Sequence, residues 1–529
     1  MELDNLTLEQ KIGQLIMAGF PSPNFDRYME KLIKEYNVGN IILFSRNIGS
    51  IGDTAELISL IQLNMIKYNQ VPAFIGVDQE GGDVSRIRHT SLMFPCNMAF
   101  GAAGIPGSTR QQGLFTGEKL RAMGINLNIA PVLDVNNNPE NPIIGTRSYG
   151  DHPDKVAELG CAYIEGLQHK GVVATAKHFP GHGDTDIDTH LGLPSVSYGR
   201  DRLEKVELYP FQKAVEAGVA AVMTAHIIFP VLDGESRPAT ISYPILTELL
   251  RRQMGFQGII ITDCIEMKAV LDNYGVEKTA VEALKAGADM ICISHTLDFQ
   301  IRSVEAIKNA VKSGELSELR IDESVGRILG LKEKYRLMQN LCPDISMLER
   351  LFSDESSALF AAEVSRKSIT LITGKNSLLP VRSKNILSIS AEPALTTNVE
   401  DGKNLPVSFC TSVTELLGGE GIAIPQNPDK DLIEEICRKS LDKDLIIFGM
   451  HNSRFNPGQI ELYNAIRRNN KNIITILLKN PYDVRFIEDT ETCIFAYEYS
   501  PLSITGVIKV LSGEPAYGRL PVNIHPYTI

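Results

Sequence analysis

Between Lys177 and His190 the chain reads KHFPGHGDTDIDTH, placing three His, three Asp and one Lys within fourteen residues. A loop that merely meets solvent favours Lys, Glu and Ser over imidazoles, so this composition points to chemistry. Two kinds of chemistry suit the residue types. His and Asp ligate Zn²⁺, singly or as a dinuclear pair. The i,i+4 spacing of His178 and His182 would need a helix to align them, however, and Pro180 and Gly181 between them oppose one. Proton transfer is the alternative. Asp188 and His190, two apart in an extended stretch, point to the same side, where the carboxylate orients the ring and stabilises its protonated form. Such a pair still needs a nucleophile, and Asp263, closing the apolar run GIIITD (258–263), is the best placed. No GxSxG elbow is present, and Cys264 is read as packing. His182 is expected to brace the Gly-rich turn. Gly181 and Gly183 leave the loop few backbone restraints, predicting that it closes over a bound substrate.

These residues belong to a pattern. Short apolar runs recur at 13–20, 38–44, 72–78, 125–134, 172–178, 219–226, 258–263 and 288–294, with amphipathic helical stretches between most of them. Continuous apolar runs of this length read as buried parallel strands, and eight of them predict a (β/α)8 TIM-type barrel. Asp78, Asp134, Lys177 with His178, His226 and Asp263 each fall at or just past the end of a run. A closed barrel brings those ends to one rim, so residues far apart in sequence line a single pocket. An open doubly wound sheet is the competing architecture, but no phosphate-binding glycine fingerprint follows an early strand. Gly374-Lys375-Asn376-Ser377 lacks the upstream glycine of a P-loop.

Beyond Leu331 the rhythm changes. NLCPDIS (340–346) reads as a linker, and strand-like runs follow at 368–373, 385–390, 444–450, 472–478 and 493–499. The prediction is a barrel over residues 1–338 and a smaller three-layer α/β sandwich over 339–529, with no comparable His and Asp cluster in the second part and therefore a structural or interface role. A chain of 529 residues exceeds what one core supports. Its 43% apolar and 22% charged residues are those of an ordinary globular protein. A net charge of −12 without a basic patch argues against nucleic acid. The eight Cys form no CxxC and several lie in apolar runs, so reduced, buried thiols are expected. MELDNLTLEQKIGQL opens acidic and then helical, unlike a signal peptide, and no run reaches membrane-span length. A cytoplasmic location without membrane contact is the expectation.

Four segments, KHFPGHGDTDIDTH, VDQEGGDVSRI (77–87), APVLDV with GTRSYG (130–150) and ITDCIEM (261–267), together resemble the β-N-acetylglucosaminidases of glycoside hydrolase family 3. The resemblance runs through most of residues 5–335, and GEPAYGRLPV (513–522) is similar to the closing segment of two-domain members. It implies a retaining exo-β-N-acetylglucosaminidase acting on muropeptides or chitooligosaccharides, with Asp263 as nucleophile, His190 as general acid/base and Asp188 supporting it. It further implies that Asp78, Arg86, Arg147, Lys177 and His178 grip the sugar, and that neither cofactor nor metal is needed. Asp83 stands where the family often has Arg, and Thr189 where it has Ser. The chemistry agrees: retention needs one group to attack and one to give and then take a proton, and an imidazole with a pKa of about 6.5 suits both. Lys177 and Arg147 are expected to favour the ionised Asp263. With no Trp in the chain, Phe44, Tyr149 or Phe179 would supply any stacking surface. Competing readings are a phosphorylase, since a neutral imidazole does not repel phosphate, a catalytically silent sugar-binding protein, and a metal-dependent hydrolase.

Overall fold

The run GQLIMAGF does not stay extended along its length. Thr7 caps a helix, Leu8–Gln14, through a reciprocal bond with Gln10, and only Ile16–Ala18 forms a strand, β1. In the computed structural model, which describes residues 2–185, 192–374, 377–393, 408–487 and 491–524, the other runs also yield strands. These are β2 (Asn40–Leu43), β3 (Phe74–Val77), β4 (Leu127–Asn128), β5 (Val173–Phe179), β6 (Ala221–Thr224), β7 (Ile259–Ile261) and β8 (Ile291–Ile293). Every one of their residues is buried, as strands with packed layers on both faces require. The eight pair in parallel from β8 through β1 to β7, and a parallel bridge between Ile261 and Met290 closes the ring. This is the predicted barrel. β4 is shorter than the run 125–134, but pairing to β5 continues past it as single bonds, such as Leu133 N–H to the Lys177 carbonyl at 2.7 Å.

The second region holds six strands: β9 (Thr370–Thr373), β10 (Ile386–Ala391), β11 (Glu420–Ile424), β12 (Leu445–Met450), β13 (Ile473–Leu477) and β14 (Thr492–Phe495). They lie in the order β9-β14-β13-β12-β10-β11, all parallel except β9 against β14. Separate apolar clusters cover the two faces, Leu462, Tyr463 and Ile466 on one, Val413, Ile504 and Val507 on the other. The result is a three-layer sandwich. β11 is absent from the predicted strands because it pairs on one side only and leaves most of its residues exposed or half-exposed, so no apolar run marks it. Part of the expected linker is helical: Asp344 caps Ile345–Ser353, whose Leu348 and Phe352 join the barrel core.

The second region grips two barrel loops. Tyr482 donates its hydroxyl to the Asn136 carbonyl at 2.8 Å, and Asp151 donates its N–H to the Pro521 carbonyl at 3.2 Å. Lys479 reaches Asp83 at 2.9 Å, and Glu498 accepts the Cys96 N–H at 3.0 Å. The segment 136–151 carries Arg147, and the turn around Asp83 carries Asp78 and Arg86. The interface role expected of this region therefore takes the form of bracing for those two loops. Among the described residues, no helix is long and apolar enough to cross a membrane.

Candidate active site

Where β3 gives out at Val77, Asp78 emerges on the rim, and a tight hairpin (Gln79–Gly81 with Val84–Ser85) turns the chain back to Arg86. β5 is longer than its neighbours and carries Lys177 and His178 up beside that hairpin. Asp263 stands two residues past β7, and Arg147 rides the 136–151 loop. Asp78, Arg86, Arg147, Lys177, His178 and Asp263 all line one cavity of about 530 Å³, a volume suited to a small molecule. Asp188 and His190 lie outside the described residues.

The polar groups form a connected network. Lys177 Nζ lies 2.8 Å from Asp78 Oδ1 and 2.6 Å from Glu80 Oε1. Arg147 holds Glu80 in a two-point fork, at 2.8 and 3.0 Å, the arrangement that suits guanidinium and carboxylate. Arg86 stands 3.8 Å from Asp78. Burial by itself would raise the Glu80 carboxyl, but Arg147 and Lys177 hold it far below the usual carboxylate range. Burial likewise opposes the charge on Arg147, and Glu80 overcomes it and raises the guanidinium. Lys177 and Arg147 are thus already engaged with Glu80, so they do not act on Asp263 as unpaired cations. Glu80 was given no role in the sequence, although it stands two residues after Asp78 inside the matched segment VDQEGGDVSRI.

Asp134 holds the imidazoles. Its carboxylate accepts from His178 Nδ1 at 2.7 Å and from the His182 N–H at 2.7 Å. Burial would raise this carboxyl, but His178 and then His182 bring it below its ordinary value. His182 also meets Thr185 Oγ1 at 2.8 Å, so it does brace the turn. The glycines of that turn are there for close approach. A Cβ on Gly183 would lie 1.8 Å from the Val135 carbonyl oxygen, and one on Gly181, at φ +139°, 2.8 Å from the Glu207 side chain. Asn141 donates to the His182 and Gly183 carbonyls at 2.8 and 3.2 Å. Residues 181–185 are therefore pinned, so Gly181 and Gly183 do not loosen the backbone there; the remainder, 186–191, on which the expected closure falls, lies outside the described residues.

Other rim residues sort differently. His226 spans Thr240 at 2.7 Å and the Cys264 carbonyl at 3.0 Å, fixing the turn that presents Asp263. Asp263 accepts the Cys264 N–H at 2.7 Å. Of the three aromatic rings considered, only Phe44 lines the cavity, with the guanidinium carbons of Arg46 and Arg86 at 4.4 and 5.5 Å from its centroid. Tyr149 and Phe179 are buried in the packing. Cys264 reaches the cavity wall, not only the packing, although burial and then Glu266 push its thiol up to about 12, which leaves it a poor nucleophile.

The buried histidine predicts a pH effect. Burial and the neighbouring His178 lower His182 to about 4 from an ordinary 6.5. Between those values the unfolded chain binds the extra proton, so stability rises with pH across this window. His182→Gln is expected to flatten that limb in denaturant unfolding measured from pH 4 to 7. An unchanged slope would show that His182 does not stay neutral in the fold.

Comparison with known proteins adds to this geometry. The model for the glycosyl hydrolase family 3 N terminal domain matches residues 7–331. The chain is similar to a β-hexosaminidase A from Pseudoalteromonas piscicida, 34% identical over 419 residues, which is 71% of this chain and 69% of that protein. Its structure is similar to a glycoside hydrolase family 3 β-N-acetylglucosaminidase from Paenibacillus sp. str. FPU-7, with a TM-score of 0.93 and 36% identity over 99% of this chain and 100% of that one. A β-glucoside phosphorylase aligns with a TM-score of 0.82 and 25% identity over 99% of this chain and 95% of that one.

Proposed function

Because the chain belongs to glycoside hydrolase family 3 and is a glycoside hydrolase of the β-N-acetylhexosaminidase type, we propose that it releases terminal β-linked N-acetylglucosamine with retention of configuration. The observation that carries this reading is the gathering of Asp78, Arg86, Arg147, Lys177, His178 and Asp263 on one cavity wall. In it, Asp263 attacks the anomeric carbon while His190, oriented by Asp188, protonates the departing oxygen. The glycosyl-enzyme ester then yields to water that His190 deprotonates. Lys177 and Arg86 donate to the sugar hydroxyls and acetamido group, Asp78 accepts from them, and His178 keeps its ring face set by Asp134. The substrates are N-acetylglucosamine-containing glycans, muropeptides or chitooligosaccharides. The same reading divides the chain into a catalytic unit, 1–338, and a supporting unit, 339–529, with helix Ile345–Ser353 lying back on the first.

Turnover of aryl β-glycosides with and without the 2-acetamido group tests the substrate class; equal turnover of both would sink it. The dyad has its own test. His190→Ala should slow substrates with poor leaving groups far more than activated aryl glycosides, by about 10²-fold or more, because only the former need full protonation. Asp188→Ala should reproduce part of that loss. Equal slowing across all leaving groups would make His190 a positioning residue. Phosphorolysis is the second reading, favoured by the likeness to the β-glucoside phosphorylase. Excess phosphate should leave free β-sugar as the main product; predominant sugar 1-phosphate would overturn hydrolysis.

A further inference from the structure

Three residues that take no part in the proposed reaction share the wall next to Asp263. Cys264 follows it directly, Glu266 lies two residues on, and His295 comes across from the loop after β8. One donor atom of each, a sulfur, a carboxylate oxygen and a ring nitrogen, lie within 4.8 Å of one another. The set is held in place by the backbone. Glu266 accepts the His295 N–H at 2.6 Å and the Thr296 N–H at 2.9 Å, and the Cys264 thiol points at it from 3.6 Å. The His295 ring leans against Phe44, centroids 5.1 Å apart at 42°.

We infer that Cys264, Glu266 and His295 form a binding site for a thiophilic divalent cation, Zn²⁺ above all, and that the bound ion inhibits the enzyme. Thiolate, imidazole and carboxylate are the zinc donor set, and three protein ligands leave the fourth tetrahedral position open. Zinc bonds of about 2.0–2.3 Å require donors somewhat closer together than they stand. His295 is exposed, and each Glu266 oxygen keeps a lone pair beyond its backbone bond, so a small side-chain adjustment brings the donors to the ion. On binding, the sulfur–hydrogen bond breaks, its proton passes to solvent and a zinc–sulfur bond forms, with no change of oxidation state. The ion then sits in the sugar cavity beside Asp263, where it takes up space and pairs with the attacking carboxylate. The site itself stands on geometry alone; its inhibitory consequence rests on the hydrolytic reading above.

The test uses the full chain, stripped with a chelator and exchanged into clean buffer, with Co²⁺ as a coloured probe. We expect one Co²⁺ per chain with a thiolate-to-cobalt charge-transfer band that Zn²⁺ displaces. Zn²⁺ should also stop aryl N-acetyl-β-glucosaminide turnover, with recovery on adding EDTA. Cys264→Ser should abolish the band, and His295→Gln, at an exposed position that does not threaten the fold, should weaken Co²⁺ binding by about tenfold or more. The same two variants should raise the half-inhibitory Zn²⁺ concentration to a similar degree. No charge-transfer band, or a band unchanged in Cys264→Ser, overturns the site. Zn²⁺ inhibition equally strong in both variants overturns the inhibitory role. A correct cobalt signature in a protein that fails to cleave the glycoside supports the site and refutes the hydrolytic reading.

Discussion

Replacing Asp263 with alanine is expected to remove almost all glycosidase activity, on the order of 10⁴-fold or more in kcat, because in the proposed reaction Asp263 is the group that forms the covalent intermediate. The fold should survive. Asp263 is half-buried on the cavity wall, and the turn that carries it is held by backbone bonds, including the Ile265 N–H to the Cys292 carbonyl at 3.0 Å, and by His226. Reaction of the wild-type enzyme with a 2-acetamido-5-fluoro-glycosyl fluoride, followed by peptide mass mapping, should place the label on Asp263. A label on another carboxylate would refute the assignment. Unchanged thermal unfolding in Asp263→Ala, with activity lost, separates a chemical role from a structural one.

Glu80→Ala is expected to have the largest effect on stability. Its side chain is 1% exposed and that of Lys177 2%, so removing the carboxylate leaves buried Arg147 without its carboxylate partner and Lys177 with Asp78 alone. Leaving a buried charge unpaired costs about 3–5 kcal/mol. Glu80→Gln should cost less, since its amide oxygen still accepts one bond. Activity should fall in both, because Lys177 and Arg147 lose the group that sets their positions. The pH dependence has a definite sign. The folded Glu80 carboxyl lies below its unfolded value of about 4.3. Its contribution is therefore complete above that value and is lost as the pH falls toward the folded one. Denaturant unfolding at pH 7 and again at pH 3–4 should show the wild type losing this increment in acid and Glu80→Gln losing less. A cost under about 1 kcal/mol for Glu80→Ala at pH 7 would mean that water reaches the network and screens it.

The apolar runs determined much of this protein by themselves. Burial on both faces demands continuous apolar strands, and eight such runs in parallel order close a barrel with one catalytic rim. The residue types at their ends named Asp78, Lys177, His178 and Asp263, and matching motifs added Arg86 and Arg147. The pairing of Asp188 with His190, expected from their spacing, lies outside the described residues. Which charge meets which was decided in three dimensions. Lys177 and Asp78 are ninety-nine positions apart in the chain, and that Glu80, not Asp263, holds Arg147 follows from the path of a short hairpin. The packing of Gly183 against Val135 reversed the meaning of a glycine that looked like slack. The strand Glu420–Ile424 had no apolar run because an edge strand need bury little. Cys264 and His295 meet only because β7 and β8 are neighbours across the seam where the barrel closes. Periodicity reports which face of an element is buried, a property of neighbours along the chain. Contacts across the rim depend on where separate elements come to rest, and that is settled only when the whole barrel packs.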